Sequence, residues 1–130
     1  MIKKTVTYED FNGTVRTETF YFHFSQAEIM EMQLTTEGGF SERVQRMIDA
    51  KDQPAIIKLI KDFVLDAYGV KSDDGKRFMK SPEIRAAFVE NPAYSEIFME
   101  LATDADKAAE FVNGVVPANA KKELAAATKN

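Results

Sequence analysis

The stretch Phe20-Tyr21-Phe22-His23-Phe24-Ser25-Gln26-Ala27-Glu28 decides the fold. Its first five residues are aromatic-rich and suit a pleated strand, whereas Ser25-Gln26-Ala27-Glu28 is a capping box. There the serine hydroxyl and the glutamate carboxylate each satisfy a backbone N–H that the first helical turn leaves without a partner. A strand therefore ends and a helix begins inside nine residues. The chain reads as α+β, with strands upstream of Ser25 and helices downstream.

Upstream, residues 2–24 are rich in Thr, Val, Tyr and Phe and are interrupted only at Asn12-Gly13, a dipeptide suited to a tight type I′ turn. An N-terminal β-hairpin over about residues 2–24 follows. With Asn12 and Gly13 as a two-residue loop, Glu9 pairs with Arg16, Tyr8 with Thr17 and Thr5 with Phe20. That register puts Val6, Tyr8, Val15 and Tyr21 on one face. The other face then carries Phe11, Phe20 and Phe22 with Lys3, Glu9, Arg16 and Glu18.

Downstream, five or six mostly short α-helices are expected. The first runs from Ser25 to about Leu34 and stops before Thr35-Thr36-Glu37-Gly38-Gly39; a second covers about residues 40–50. Asp52-Gln53-Pro54 opens a longer helix to Tyr68, in which Ile56, Leu59, Ile60, Phe63, Val64 and Ala67 form an arc wide enough for a central element. Residues 70–80, with Asp73-Asp74-Gly75, form a turn-containing connector or small irregular hairpin. Ser81-Pro82 and Asn91-Pro92 are successive cap-plus-proline starts, with Ile84, Ala87 and Phe88 on the first helix and Tyr94, Ile97, Phe98 and Leu101 on the second. Thr103 is expected to cap a last helix with Ala105, Ala108, Ala109 and Val112 inward, ended by Asn113-Gly114 and Pro117.

The chain has 130 residues, 45% of them hydrophobic and 29% charged, which fits one globular domain. The domain is placed at residues 1–117. Residues 118–130 hold five alanines and three lysines but one large apolar residue, Leu124, and are expected to form a flexible C-terminal tail. No apolar run is long enough for a membrane span, and Met1-Ile2-Lys3-Lys4-Thr5 does not open a signal peptide. A cytoplasmic protein without membrane contact is therefore expected.

With no cysteine and one histidine, thiolate catalysis, disulfides and cysteine-ligated zinc or iron–sulfur sites are unavailable, and a metal site would have to be carboxylate-dominated or shared between chains. His23 has no nucleophile or orienting group to serve. Asp73-Asp74-Gly75 lacks the alternating ligands and closing glutamate of a calcium loop and reads as a turn. No phosphate-binding glycine loop is present around Gly38-Gly39. Lys76, Arg77, Lys80 and Arg85 form the one basic cluster, read as a solvated face because 17 basic and 21 acidic residues leave a net charge of −4. No nucleic acid, metal or cofactor is expected, and no catalytic residue. What stands out is spare apolar surface. Ala27, Met30 and Leu34 form one stripe of the first helix while Ile29 and Met32 point away from it, and Leu65 and Met99 also fall off their stripes. Ile29, Met32, Leu65 and Met99 are the candidate partner-binding residues, for a heterologous partner or for self-association.

Several separated stretches carry a family likeness: Tyr8-Glu9-Asp10-Phe11-Asn12-Gly13-Thr14, Phe20-Tyr21-Phe22, Glu28-Ile29-Met30-Glu31-Met32, Ala67-Tyr68-Gly69, Ser72-Asp73-Asp74-Gly75-Lys76-Arg77-Phe78, and Tyr94 to Asp104. Over about residues 2–117 the chain resembles the tail assembly chaperones of long-tailed (siphovirus-type) bacteriophages and prophages of Gram-positive bacteria. The resemblance implies a non-enzymatic protein of the bacterial host cytoplasm that binds the tape measure protein, helps recruit major tail subunits and is absent from the mature virion. It also implies a longer, frameshifted version of the same chain as a partner. It places no contact residue. A small structural or connector protein retained in the phage particle is the open alternative.

Overall fold

The structure, a computed structural model, describes residues 1–35 and 53–115. The expected helix over residues 40–50, the capping role of Asp52, the glycine pair Gly38-Gly39, Pro117, the side chain of Ala105 and the tail over 118–130 lie outside the described residues. The fold is α+β. The strands are β1 (Ile2–Glu9), β2 (Val15–Phe22), β3 (Tyr68–Lys71) and β4 (Phe78–Met79), and they form one antiparallel sheet in the order β1-β2-β3-β4. The helices among the described residues are α1 (Gln26–Thr35), α2 (Gln53–Ala67), α3 (Pro82–Val89), α4 (Pro92–Thr103) and α5 (Ala105–Val115).

The hairpin forms as the Asn-Gly signal requires, but its register is one residue away from the two-residue-loop expectation. Tyr8 pairs with Arg16, Thr5 with Thr19 and Ile2 with Phe22. The cause is Asp10. Its carboxylate Oδ1 accepts hydrogen bonds from the N–H groups of Asn12 and Thr14, both at 2.9 Å, and its Oδ2 accepts from Arg16 Nε at 2.6 Å. Gly13 N–H donates to Asp10 O at 3.0 Å with Gly13 at φ 82°, so the loop is Phe11-Asn12-Gly13 and closes on an Asp10–Thr14 pair. A one-residue slip moves a whole arm to the other face. Ile2, Val6 and Tyr8 therefore share the covered face with Phe20 and Phe22, while Lys3, Thr5, Thr7 and Glu9 share the open face with Thr17, Thr19 and Tyr21.

The connector after α2 contributes more than expected. Tyr68–Lys71 adds to β2 through Tyr21–Gly69 and Phe22–Tyr68 pairs, and turns back into β4 through Ser72–Arg77. Asp74 Oδ1 accepts from Ser72 Oγ at 2.7 Å and from Lys76 N at 3.0 Å, and Gly75 takes φ 74°, so the Asp-Asp-Gly run is a turn. Gly69 lies where the two strands cross closely: a Cβ there would stand 2.5 Å from the Phe78 ring and 2.9 Å from Met79 O.

The helices cover the inner face. Phe22, fully buried, has its ring centroid 5.8 Å from Tyr68, 5.8 Å from Phe88 and 5.2 Å from Phe111, and so joins sheet, α3 and α5. Helix α4 runs antiparallel beneath β1. Asn91 at its start donates to Tyr8 Oη at 3.3 Å, and Glu100 near its end accepts from Lys4 Nζ at 3.3 Å. Both expected cap-plus-proline starts are present, with Ser81 Oγ accepting from Ile84 N and Asn91 Oδ1 from Ala93 N. The last helix is capped by Asp104 rather than Thr103. Asp104 Oδ1 accepts from the N–H groups of Asp106 and Lys107, while the Thr103 hydroxyl donates to Met99 O within α4. Helix α5 continues through Gly114 to Val115, and its inward residues are Phe111 and Val115, the larger groups, with Ala108 and Val112 half-buried and Ala109 exposed. Gly114 lets α5 pass close to the Ile2 side chain, which a Cβ there would have to displace.

Two outcomes check this account. Gly69→Ala should destabilise the fold by about 1–3 kcal/mol in urea unfolding, since a backbone oxygen and a packed ring must both yield. The Arg16 hydrogen bond, followed by the loop N–H groups, holds the Asp10 carboxyl below its ordinary value of 3.8. Its stabilisation is thus present above that pH and is lost as pH falls through the lowered value. The melting temperature of Asp10→Asn should lie below that of the unsubstituted chain at neutral pH, and the gap should narrow below about pH 4.

Candidate functional site

The capping box that starts α1 also builds the edge of a cleft. Ser25 N donates to Glu28 Oε1 at 3.0 Å and Glu28 N donates to Ser25 Oγ at 3.1 Å, which holds the carboxylate at the base of the helix. Its second oxygen, Oε2, accepts from Lys80 Nζ at 2.7 Å. Lys80 follows β4 and precedes the Ser81 cap of α3, and its ammonium also donates to His23 O at 2.8 Å and stands 4.8 Å from the Phe24 ring centroid. One cation thus ties the end of β2, the start of α1 and the start of α3 together.

Around this tie lies an open cleft of about 630 Å³ between α1, the end of α2 and α3. Phe24, Leu65, Tyr68 and Pro82 give it an apolar base, and Met32 and Thr35 stand on its α1 side. Glu28, Glu31, Asp66, Lys80 and Arg85 supply charge of both signs around it. Arg85 is ion-paired with Asp66. Burial by itself would raise the Glu28 carboxyl, but hydrogen bonds from Lys80 and the Ser25 backbone outweigh it and keep the group below the usual carboxylate range. Burial pushes the His23 imidazole down, and the N-terminal ammonium and Lys80 add to that, so His23 is neutral at pH 7. Among the described residues no three His, Asp or Glu side chains gather as a metal ion requires. The arrangement offers apolar contact framed by two ion pairs, Glu28–Lys80 and Asp66–Arg85, and by Glu31.

The structure brings two of the sequence-chosen residues together here. Met32, half-buried, and Leu65, 5% exposed, both line the cleft. Ile29 lies behind them in the core at 3% exposure, and Met99, 53% exposed, sits on α4 and lines no part of the cleft. Helix α1 is rotated opposite to its expected stripe. Met30 and Leu34 face outward at 43% and 77% exposure, while Ile29 turns in. Apolar residues on both sides of α1 left its rotation undecided by periodicity; the Glu28–Lys80 tie decides it. In the basic cluster, Lys76 and Arg77 are exposed, but Lys80 and Arg85 are committed to carboxylates. No spacing rule connects Lys80 to a glutamate 52 residues earlier. Among the described residues no helix is long and apolar enough to cross a membrane.

The described residues thus form a small α+β module with a cleft of apolar base and a rim carrying charge of both signs. Residues 1–130 match the family model of the phage tail assembly chaperones, and the chain belongs to that family. No curated protein and no solved structure matches it. Its role is therefore that of a bacteriophage tail assembly chaperone, with phage tail proteins as its partners.

Replacing Lys80 with Met should cost about 1–2 kcal/mol, because the His23 carbonyl and the Glu28 carboxylate each lose a charge-assisted hydrogen bond. The lowered Glu28 carboxyl contributes stability above its ordinary pKa that disappears as pH falls, so this cost should shrink in acid; thermal melts at neutral and acid pH measure both effects.

Proposed function

We propose that this chain is a non-enzymatic chaperone of a siphovirus-type phage or prophage that binds the tape measure protein and helps recruit major tail subunits during tube assembly. Family membership over the whole chain supports this reading, and the cleft between α1, α2 and α3 is the observation that carries it to particular residues. An amphipathic helix of the tape measure protein would lay apolar side chains against Met32 and Leu65 and meet Glu31, Asp66 and Arg85 at the rim. Ile29 supports the α1 wall from behind. Met30 and Leu34 extend the apolar surface along the outer side of α1. Met99 belongs to a second contact, with a tail subunit or another copy of the chain. A small apolar base with a charged rim gives a weak, reversible interface, as displacement by polymerising subunits requires. The chaperone acts in the cytoplasm of the bacterial host, alongside a longer frameshifted version of itself, and leaves before the virion is complete.

Met32→Asp combined with Arg85→Glu should abolish co-purification of the co-expressed tape measure protein while leaving the far-UV circular dichroism spectrum unchanged. Ile29 is unsuitable for this purpose because a charge in the core would unfold the α1 region. Co-purification that survives the double substitution removes the cleft from the assignment. Detection of the chain in purified virions by mass spectrometry favours a retained connector instead.

A further inference from the structure

Among the described residues the sheet has one long free edge. Strand β1 is outermost in the order β1-β2-β3-β4, and among the described residues no strand pairs with its outer side. The hydrogen bond from Asp10 N to Thr14 O, at 2.8 Å, makes Asp10–Thr14 a hydrogen-bonded pair, so by alternation Tyr8, Val6, Lys4 and Ile2 direct their backbone groups at β2. The backbone N–H and C=O groups of Lys3, Thr5, Thr7 and Glu9 point away from the sheet. The close side-chain contacts Thr5–Thr19 at 3.0 Å and Thr7–Thr17 at 2.9 Å are those expected of the non-hydrogen-bonded pairs in between.

The geometry points to this edge as a docking surface for a second copy of the chain, with two β1 strands pairing antiparallel about a two-fold axis through Val6. In that register Lys3 of each copy lies opposite Glu9 of the other and Thr5 opposite Thr7, and each of these is a hydrogen-bonded pair through the free backbone groups. All four residues are exposed on the open face. The charges argue for this arrangement over its neighbours. A two-fold interface must be self-complementary, and Lys3 and Glu9, opposite in sign, are placed symmetrically about Val6. Sliding the strands by two residues either way separates Lys3 from Glu9, and parallel pairing sets Lys3 against Lys3 and Glu9 against Glu9. The threonines face one another across the axis on the open face, at the wider side-chain spacing of hydrogen-bonded pairs. On the covered face, Glu100 accepts from both Lys4 and Lys107, so that carboxylate is neutralised. This inference rests on the edge alone and is independent of what the cleft binds.

Sedimentation equilibrium of the full chain between about 1 and 300 µM should show a reversible dimer. Lys3→Glu and Glu9→Lys, each placing two like-charge pairs in the interface, should each weaken dimerisation about tenfold or more, and the double charge swap should restore it. Thr5→Pro removes an outward N–H while leaving the β1–β2 ladder its donors, and should yield monomer with an unchanged circular dichroism spectrum. A chain that is monomeric throughout the concentration range overturns the inference. So does a dimer indifferent to the charge reversals, and so does a double swap that fails to restore a dimer weakened by the single ones.

Discussion

The Asp10 carboxylate is the constraint on which the rest of the structure depends. By accepting two loop N–H groups and the Arg16 guanidinium it makes a three-residue loop close on Asp10–Thr14, and this sets the parity of every pair down to Ile2–Phe22. The same parity decides which face is buried and which backbone groups are free. Were the loop one residue shorter, Ile2, Val6 and Tyr8 would lie opposite the face that carries Phe20 and Phe22, and no single layer of helices could cover both sets.

Once that parity is set, Phe20, Phe22 and Phe24 point the same way and the helices assemble on them. Phe22 meets Tyr68, Phe88 and Phe111, and Phe24 meets Phe63 at 5.0 Å, so two successive inward aromatics draw in α2, α3, α5 and β3. The close Gly69 crossing brings β4 against β3, and β4 delivers Lys80 to the carboxylate and carbonyl that start α1. The cleft is thus a consequence of the core. Its apolar base includes the inward residue Phe24, and its side walls are helices whose first turns are held by Ser25, Glu28, Lys80 and Ser81.

Signals contained within four or five residues were legible. The capping box at Ser25–Glu28, the starts at Ser81-Pro82 and Asn91-Pro92, and the turn at Asp73-Asp74-Gly75 all form as their residue types require, because each closes its own hydrogen bonds locally. Choices between near-equal local solutions were not legible. Asn12-Gly13 suits either of two loops, and the decision falls to a carboxylate before it and a guanidinium after it. Thr103 and Asp104 both offer a capping oxygen, and the nearer carboxylate takes the role. Met32 and Leu65 were recognisable as apolar residues out of phase with their helices, but their meeting in one cleft depends on Lys80 and Glu28, far apart in the chain.

The cleft and the β1 edge sit at opposite sides of the sheet. The cleft is built on the β3–β4 side, where Tyr68 and Lys80 belong, while the free backbone groups belong to β1 at the other edge. Strand pairing at β1 therefore consumes none of the cleft residues and leaves one cleft open on each copy. A dimer of this kind would present two weak sites related by a two-fold axis, and two linked weak sites hold an extended helical partner more firmly than either alone while each still opens and closes independently. Firm hold on the whole and easy release at each point is the combination that the proposed displaceable role calls for, and such a dimer would supply it without any tight individual contact.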